Sequence, residues 1–147
     1  MKRLLCFCAL FCILICGCKT EETIYKASIN QPIENITSIE LLDSTDFSNP
    51  VVLYTLTEDE LQPFLEEFLE IPFLANGPPP GTRYGPLAVR LRYEDGYGDI
   101  IGIYANWYIS PEDEIMSKSY WYHAQNKSDF YDLFSKYVDS DLLPSLD

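Results

Sequence analysis

Beyond position 18 this 147-residue chain has no cysteine; Cys6, Cys8, Cys12, Cys16 and Cys18 are the whole inventory. A domain built from the remainder can form no disulfide and offers no thiolate to a metal. That excludes a zinc ribbon, a redox CxxC site and a cysteine nucleophile. Histidine is nearly as scarce, since His123 stands alone. A catalytic triad or a histidine-rich metal site needs partners that spacing does not reveal here. On its aromatic stretch His123 reads as a packed or surface imidazole. Positive charge is also short: ten Lys and Arg face 23 Asp and Glu, a formal net charge of −13. Nucleic acid and anionic head groups repel such a chain, so no nucleic-acid partner is expected. The last absence is a long apolar run. Leu4 to Ile15 amounts to about a dozen residues, whereas a membrane-spanning helix needs roughly 20.

What stands at the N-terminus is short and ordered. Met1-Lys2-Arg3 is a basic start, Leu4 to Ile15 is apolar, and Ile15-Cys16-Gly17-Cys18 places a small residue just before a cysteine. Basic region, apolar region and small-residue cleavage site together make a secretory signal. The stretch resembles the signal peptides of bacterial lipoproteins, whose lipobox ends in a cysteine that is diacylated and becomes the mature N-terminus. The resemblance implies a signal peptide over 1–17, lipidation of Cys18, and a domain held outside the cytoplasm on the cell membrane or outer membrane. Its membrane partner is then met through the lipid anchor. It covers the leader alone and says nothing of the domain delivered. Removing 1–17 takes Lys2 and Arg3 and leaves eight basic residues against 23 acidic ones, a formal charge of −15.

Residues 18–32 read as the lipidated end and a flexible tether. Lys19 to Gln31 is polar, lacks a period and closes at Pro32; a flexible segment of that length spans about 20 Å. Residues 33–147 are one domain's worth of chain, rich in Tyr, Phe and branched aliphatics, and should fold. Ile36 to Leu42 predicts a strand with Ile39 and Leu41 on one face, and Val51 to Leu56 a second, joined by a hairpin loop. Thr57 and Glu60 have capping-box spacing before Leu61, Phe64, Leu65 and Phe68, which fall at i, i+3, i+4 and i+7 of a helix. Pro63 is comfortable only in a first turn, so the start is expected nearer Asp59. Asn76 to Pro86, with four prolines and three glycines, reads as a stiff connector or a binding loop presenting Arg83 and Tyr84.

Leu87, Val89 and Leu91 then alternate with Ala88, Arg90 and Arg92. Ile101, Ile103, Ala105, Trp107 and Ile109 alternate with Gly102, Tyr104, Asn106 and Tyr108. Two strands follow, with a turn at Glu94-Asp95-Gly96. An odd-length loop puts both apolar sets on one face, with Leu91 opposite Ile101 and Gly96 or Gly98 at positive φ. Ser117 to Ala124 predicts a third strand. Asn126 and Asp129 open a second helix with Phe130, Leu133, Phe134 and Tyr137 as its stripe. The expected fold is two-layer α+β in the order ββαβββα, an antiparallel sheet of about five strands with two amphipathic helices on one face.

Carboxylate pairs (Glu66-Glu67, Glu94-Asp95, Asp113-Glu114) are frequent, but adjacency in sequence does not build the facing pair that glycosidase chemistry needs. Glu112-Asp113-Glu114 lacks the spacing of a calcium loop. No cofactor and no metal is called for. The richest candidate is the second face of the central hairpin, where this register sends Arg90, Arg92, Tyr104, Asn106 and Tyr108 away from the helices. Rings and guanidinium groups bury contact area at low entropy cost. The plainer reading is cross-strand pairing on a wet face. The function expected is therefore a non-enzymatic, lipid-anchored module that binds a protein, peptide or glycan through that face. Two alternatives stand beside it: a small surface hydrolase using carboxylates, and an inhibitor or immunity-type lipoprotein docking on a basic partner.

Overall fold

The structure is a computed structural model, and it describes residues 23–46, 48–75, 85–119 and 122–145. The leader, Cys18, Arg83 and Tyr84 lie outside the described residues. The fold is mixed α+β with antiparallel sheets and two α-helices, as the pattern implied, but there are two sheets rather than one.

The larger sheet has six strands. β2 (Ile36–Asp43) and β3 (Val51–Thr55) form the first hairpin, with Glu40 opposite Thr55 and Leu41 opposite Tyr54. β5 (Leu87–Tyr93), β6 (Gly98–Gly102), β7 (Asn106–Ile109) and β8 (Ile115–Ser119) complete it, in the order β3-β2-β5-β6-β7-β8. The smaller sheet joins three two-residue strands in the order β1-β4-β9: β1 (Ile24–Tyr25), β4 (Phe73–Leu74) and β9 (His123–Ala124).

Helix α1 (Glu58–Phe68) begins one residue earlier than expected and carries Pro63 within it. Its start is held by the Glu60 carboxylate, which accepts the Thr57 backbone N–H at 2.8 Å, while the Thr57 hydroxyl donates to Asp59 at 2.7 Å. These contacts hold the Glu60 carboxyl below its ordinary value of 4.5, through the Thr57 N–H first. Asp59 is likewise lowered, through the Thr57 hydroxyl first. Helix α2 (Lys127–Phe134) buries Phe130, Leu133 and Phe134. Both stripes close on one face of the large sheet, where Phe64, Leu65, Phe68, Phe130 and Phe134 pack with Ile39, Leu41, Val89, Leu91 and Ile101. Phe68 and Phe130 meet edge to face at 5.9 Å and 88°, a geometry that adds about 1 kcal/mol beyond burial.

Three expectations are corrected. The stretch from Ile101 to Ile109 is two strands, reversed at Ile103-Tyr104, where the Gly102 N–H donates to the Ala105 carbonyl at 2.8 Å. Ile101 lies opposite Asn106, and Ile100 opposite Trp107. The turn flips the alternation, so Trp107 and Ile109 leave the helix-covered face that Ile101 occupies. They pack with Leu42, Ala88, Ile100 and Ala105 in a second cluster on the other face. The stretch from Ser117 to Ala124 is likewise divided, β8 going to the large sheet and β9 to the small one. The β5–β6 connection has the expected odd length with Gly96 at φ +84°, yet its pairing is displaced by two residues. Val89 faces Ile101 and Leu91 faces Asp99.

The segment expected to be a free tether also differs. From Ile24 onward it lies against the domain as a strap. Ile24 and Tyr25 pair with β4, Lys26 meets Glu70 at 2.5 Å, and Ala27 and Ile29 pack on the core. Asn30 and Gln31 then bond Asp99 and Asp95.

Candidate functional site

Alternation along β5 sends Leu87, Val89 and Leu91 under the helices and Arg90 and Arg92 to the opposite, helix-free face. Across the sheet, Glu40, Arg90, Ile100 and Trp107 fall in one row, while Arg92, Gly98, Ile109 and Ile115 fall in the next. A groove of about 740 Å³ opens over these rows. Arg90, Ile100 and Ile109 line it from the sheet, Thr45, Asp46, Ser48, Asn49 and Pro50 from the β2–β3 loop, and Asp113 and Ile115 from the β7–β8 turn.

The two guanidinium groups are fixed before any ligand arrives. Arg90 bonds Glu40 through Nε and approaches Asp113 at 3.8 Å. Arg92 bonds Asp113 and donates to the Ser110 and Gly96 carbonyls at 3.1 and 3.2 Å. Both side chains are less than one-fifth exposed, and the Arg90–Glu40 pair, part-buried at both ends, is less screened by salt than a surface pair. Asp113 reaches them from a left-handed backbone at φ +65°, a conformation that Asp tolerates better than most residues.

The loop wall is braced in the same way. Thr45 and Ser48 donate backbone N–H groups to the Asp43 and Asp46 carboxylates at 2.9 and 3.1 Å, and the buried Ser44 hydroxyl bonds the Gly85 carbonyl at 2.8 Å. Four large apolar residues stand exposed on the outermost strands of the sheet: Val51 and Val52 on β3, Ile115 and Met116 on β8.

The structure does not bring together the five hairpin residues read from the sequence as one face, and Arg83 and Tyr84 lie outside the described residues. Arg90 and Arg92 share the helix-free face. Asn106 and Tyr108 lie on the other side, in line with Ile101 and Asp99. Tyr104 is buried in the β6–β7 turn within the main core, with the Lys127 ammonium 5.5 Å from its ring centroid. Ile100, Ile109, Asp113, Ile115 and the loop residues Thr45, Asp46, Ser48, Asn49 and Pro50 were missed. Only Asp113 carried a signal, in the turn-forming run Ser110-Pro111-Glu112-Asp113-Glu114. On β9, the Nδ1 of His123 is buried without a hydrogen-bond partner. Among the described residues no group of three or more His, Cys, Asp and Glu could hold a metal, and no helix is long and apolar enough to cross a membrane.

Beneath the strap the chemistry is different. Asp99, 2% exposed, accepts the Asn30 backbone N–H at 2.8 Å, the Asn30 side-chain amide at 2.5 Å and the Tyr93 hydroxyl. Burial first, and then the Asp99 carboxylate, raise the Tyr93 phenol far above its ordinary value of 10. Charge-assisted bonds of this kind allow a carboxylate to sit inside.

No protein-family model, curated protein or solved structure matches this chain.

Proposed function

We propose that the chain is a lipid-anchored extracytoplasmic binding module that grips a protein or peptide through the groove on the helix-free face. The observation that carries this reading is the groove itself: an apolar floor at Ile100 and Ile109 beside a guanidinium that is already braced. A pre-ordered contact surface spends less of its binding energy on ordering side chains. Exposed Ile115 carries the apolar surface to the rim, and exposed apolar patches rimmed by polar groups mark interaction sites. The net charge of −13 favours a basic partner through steering. The anchor rests on Ile15-Cys16-Gly17-Cys18 in the leader. The module is delivered across the membrane and kept there by acyl chains on Cys18.

A photo-crosslinking amino acid at Ile115, exposed at the groove rim, tests the surface in the envelope of cells that carry the protein. The comparison position is Asp132, exposed on α2. A discrete adduct from Ile115 and none from Asp132 is expected, and Arg90→Ala should weaken it. Equal labelling from both positions, or none from Ile115, would remove the groove as the contact surface.

A further inference from the structure

The folded part of the chain begins close to Cys18. From Ile24 onward the strap is fastened along its length. Ile24 and Tyr25 pair with β4, Lys26 meets Glu70 at 2.5 Å, Ala27 and Ile29 pack on the main core, and Asn30 bonds Asp99. Five residues separate Ile24 from Cys18, and six peptide steps span at most about 20 Å. Most of the segment expected to be a tether is thus taken up by the domain.

Strap and groove lie on opposite sides of the large sheet. Asp99, which holds Asn30, stands opposite Leu91 in the β5–β6 ladder, on the side that the helices cover. Arg90 and Ile100 form the next rung and line the groove on the other side. The strap side also carries apolar surface. Ile24 is 60% exposed and Tyr25 38%. Ile33, 41% exposed, borders a shallow groove of about 630 Å³ between the strap and α1, together with Ala27, Ile29, Leu65 and Leu69. Tyr25 is braced edge to face against Tyr122 at 5.1 Å. An amphipathic Tyr ring beside exposed aliphatic side chains suits the head-group level of a bilayer. The net charge of −13 opposes adsorption to anionic lipid, so attraction alone does not bring this side to the membrane. A short link does, because it keeps even a weak contact at about millimolar effective concentration.

We infer that the short link to Cys18 seats the domain strap side down on the bilayer that holds its acyl chains, so that the groove opens away from that bilayer. The inference rests on the lipid-anchored reading of Cys18. Its consequence is the kind of partner the groove takes: a protein or peptide arriving from the aqueous space beyond the membrane. A neighbour embedded in the same bilayer meets the strap and not the groove.

The test uses the full chain as cells process it, purified and added to preformed vesicles of phosphatidylethanolamine and phosphatidylglycerol. Beyond position 18 the chain has no thiol, so Ile24→Cys and Ile115→Cys each take a single fluorophore. Both side chains are exposed, so neither label enters the core. Loss of fluorescence to lipids with a head-group nitroxide is the readout, beside the intact mass. A strong loss at Ile24 and little at Ile115 is expected, with aqueous iodide giving the reverse order. A flexible Gly-Ser insert of about 20 residues between Glu22 and Thr23 adds a span of about 25 Å and should remove most of the loss at Ile24. In an acylated protein, no loss at Ile24, equal loss at both positions, or a loss that the insert leaves unchanged would overturn the inference and leave the anchor standing. A mature mass without acyl chains would overturn both.

Discussion

Asn30 is fastened to Asp99, 69 positions further along the chain, by its backbone N–H at 2.8 Å and its side-chain amide at 2.5 Å. A polar, aperiodic segment becomes part of the folded domain because one buried carboxylate gathers its donors. Asp99→Ala deletes the acceptor and strands the Asn30 amide and the Tyr93 hydroxyl. The expected loss is about 2–4 kcal/mol, dominated by groups left unsatisfied. Urea unfolding measures it, and trypsin should cut after Lys26 faster in the variant than in the native chain.

Tyr93 sets an alkaline limit. Its folded phenol titrates well above 10 because of burial and then Asp99, whereas the unfolded phenol titrates near 10. The contribution is fully present below pH 10 and is lost as pH rises beyond it, since only the unfolded chain releases the proton readily. Tm should fall above pH 10, and more shallowly in Tyr93→Phe, as followed by circular dichroism. An equally steep fall in the variant would contradict this.

The start of α1 sets an acid limit of the opposite sign. Glu60 and Asp59 are lowered in the folded state by Thr57. Their contribution is present above the ordinary carboxylate range and is lost as pH drops through the lowered values. Glu60→Gln should flatten the decline of Tm below pH 4.5 (Glu60's ordinary value). Thr57→Ala should cost about 1 kcal/mol at neutral pH.

Gly98 is required by contact rather than by conformation. A Cβ built there would sit 2.3 Å from the Leu91 carbonyl oxygen, so the β5–β6 ladder must open for any side chain. Gly98→Ala should cost about 2–3 kcal/mol. Gly96→Ala, at φ +84°, should cost about 1–2 kcal/mol through left-handed strain, with its Cβ also pressed to 3.3 Å from the Pro111 ring. Chemical denaturation ranks the two.

How much of this was legible in sequence depended on whether the local pattern matched the final environment. Helices α1 and α2 and strands β2 and β3 were readable because each buries one stripe or one alternation against a single core. The Ile101 to Ile109 stretch was not, because its reversal uses Ile103 and Tyr104, residues without turn chemistry, and Gly102 was the sole hint. That turn lies inside the protein because the Ala124 N–H donates to the Ile103 carbonyl at 2.7 Å. The alternation continued across it in sequence while the faces inverted in space. Arg90 and Arg92 were therefore placed correctly, whereas Asn106 and Tyr108 were sent to the wrong side. Strands of two residues, such as Phe73–Leu74, are too short to show a period. The strap was hidden because its partners Asp99 and Asp95 are remote in sequence.

The most direct measurement of the central claim is membrane fractionation of cells carrying either the native chain or Cys18→Ser, read beside the intact mass of the mature protein. The expected result is a native protein that sediments with membranes, begins at a diacylated Cys18 and is reached by external protease once any outer barrier is opened, with the serine variant no longer membrane-bound. Equal sedimentation of both chains, or a native mass without acyl groups, would contradict a lipid-tethered binding module.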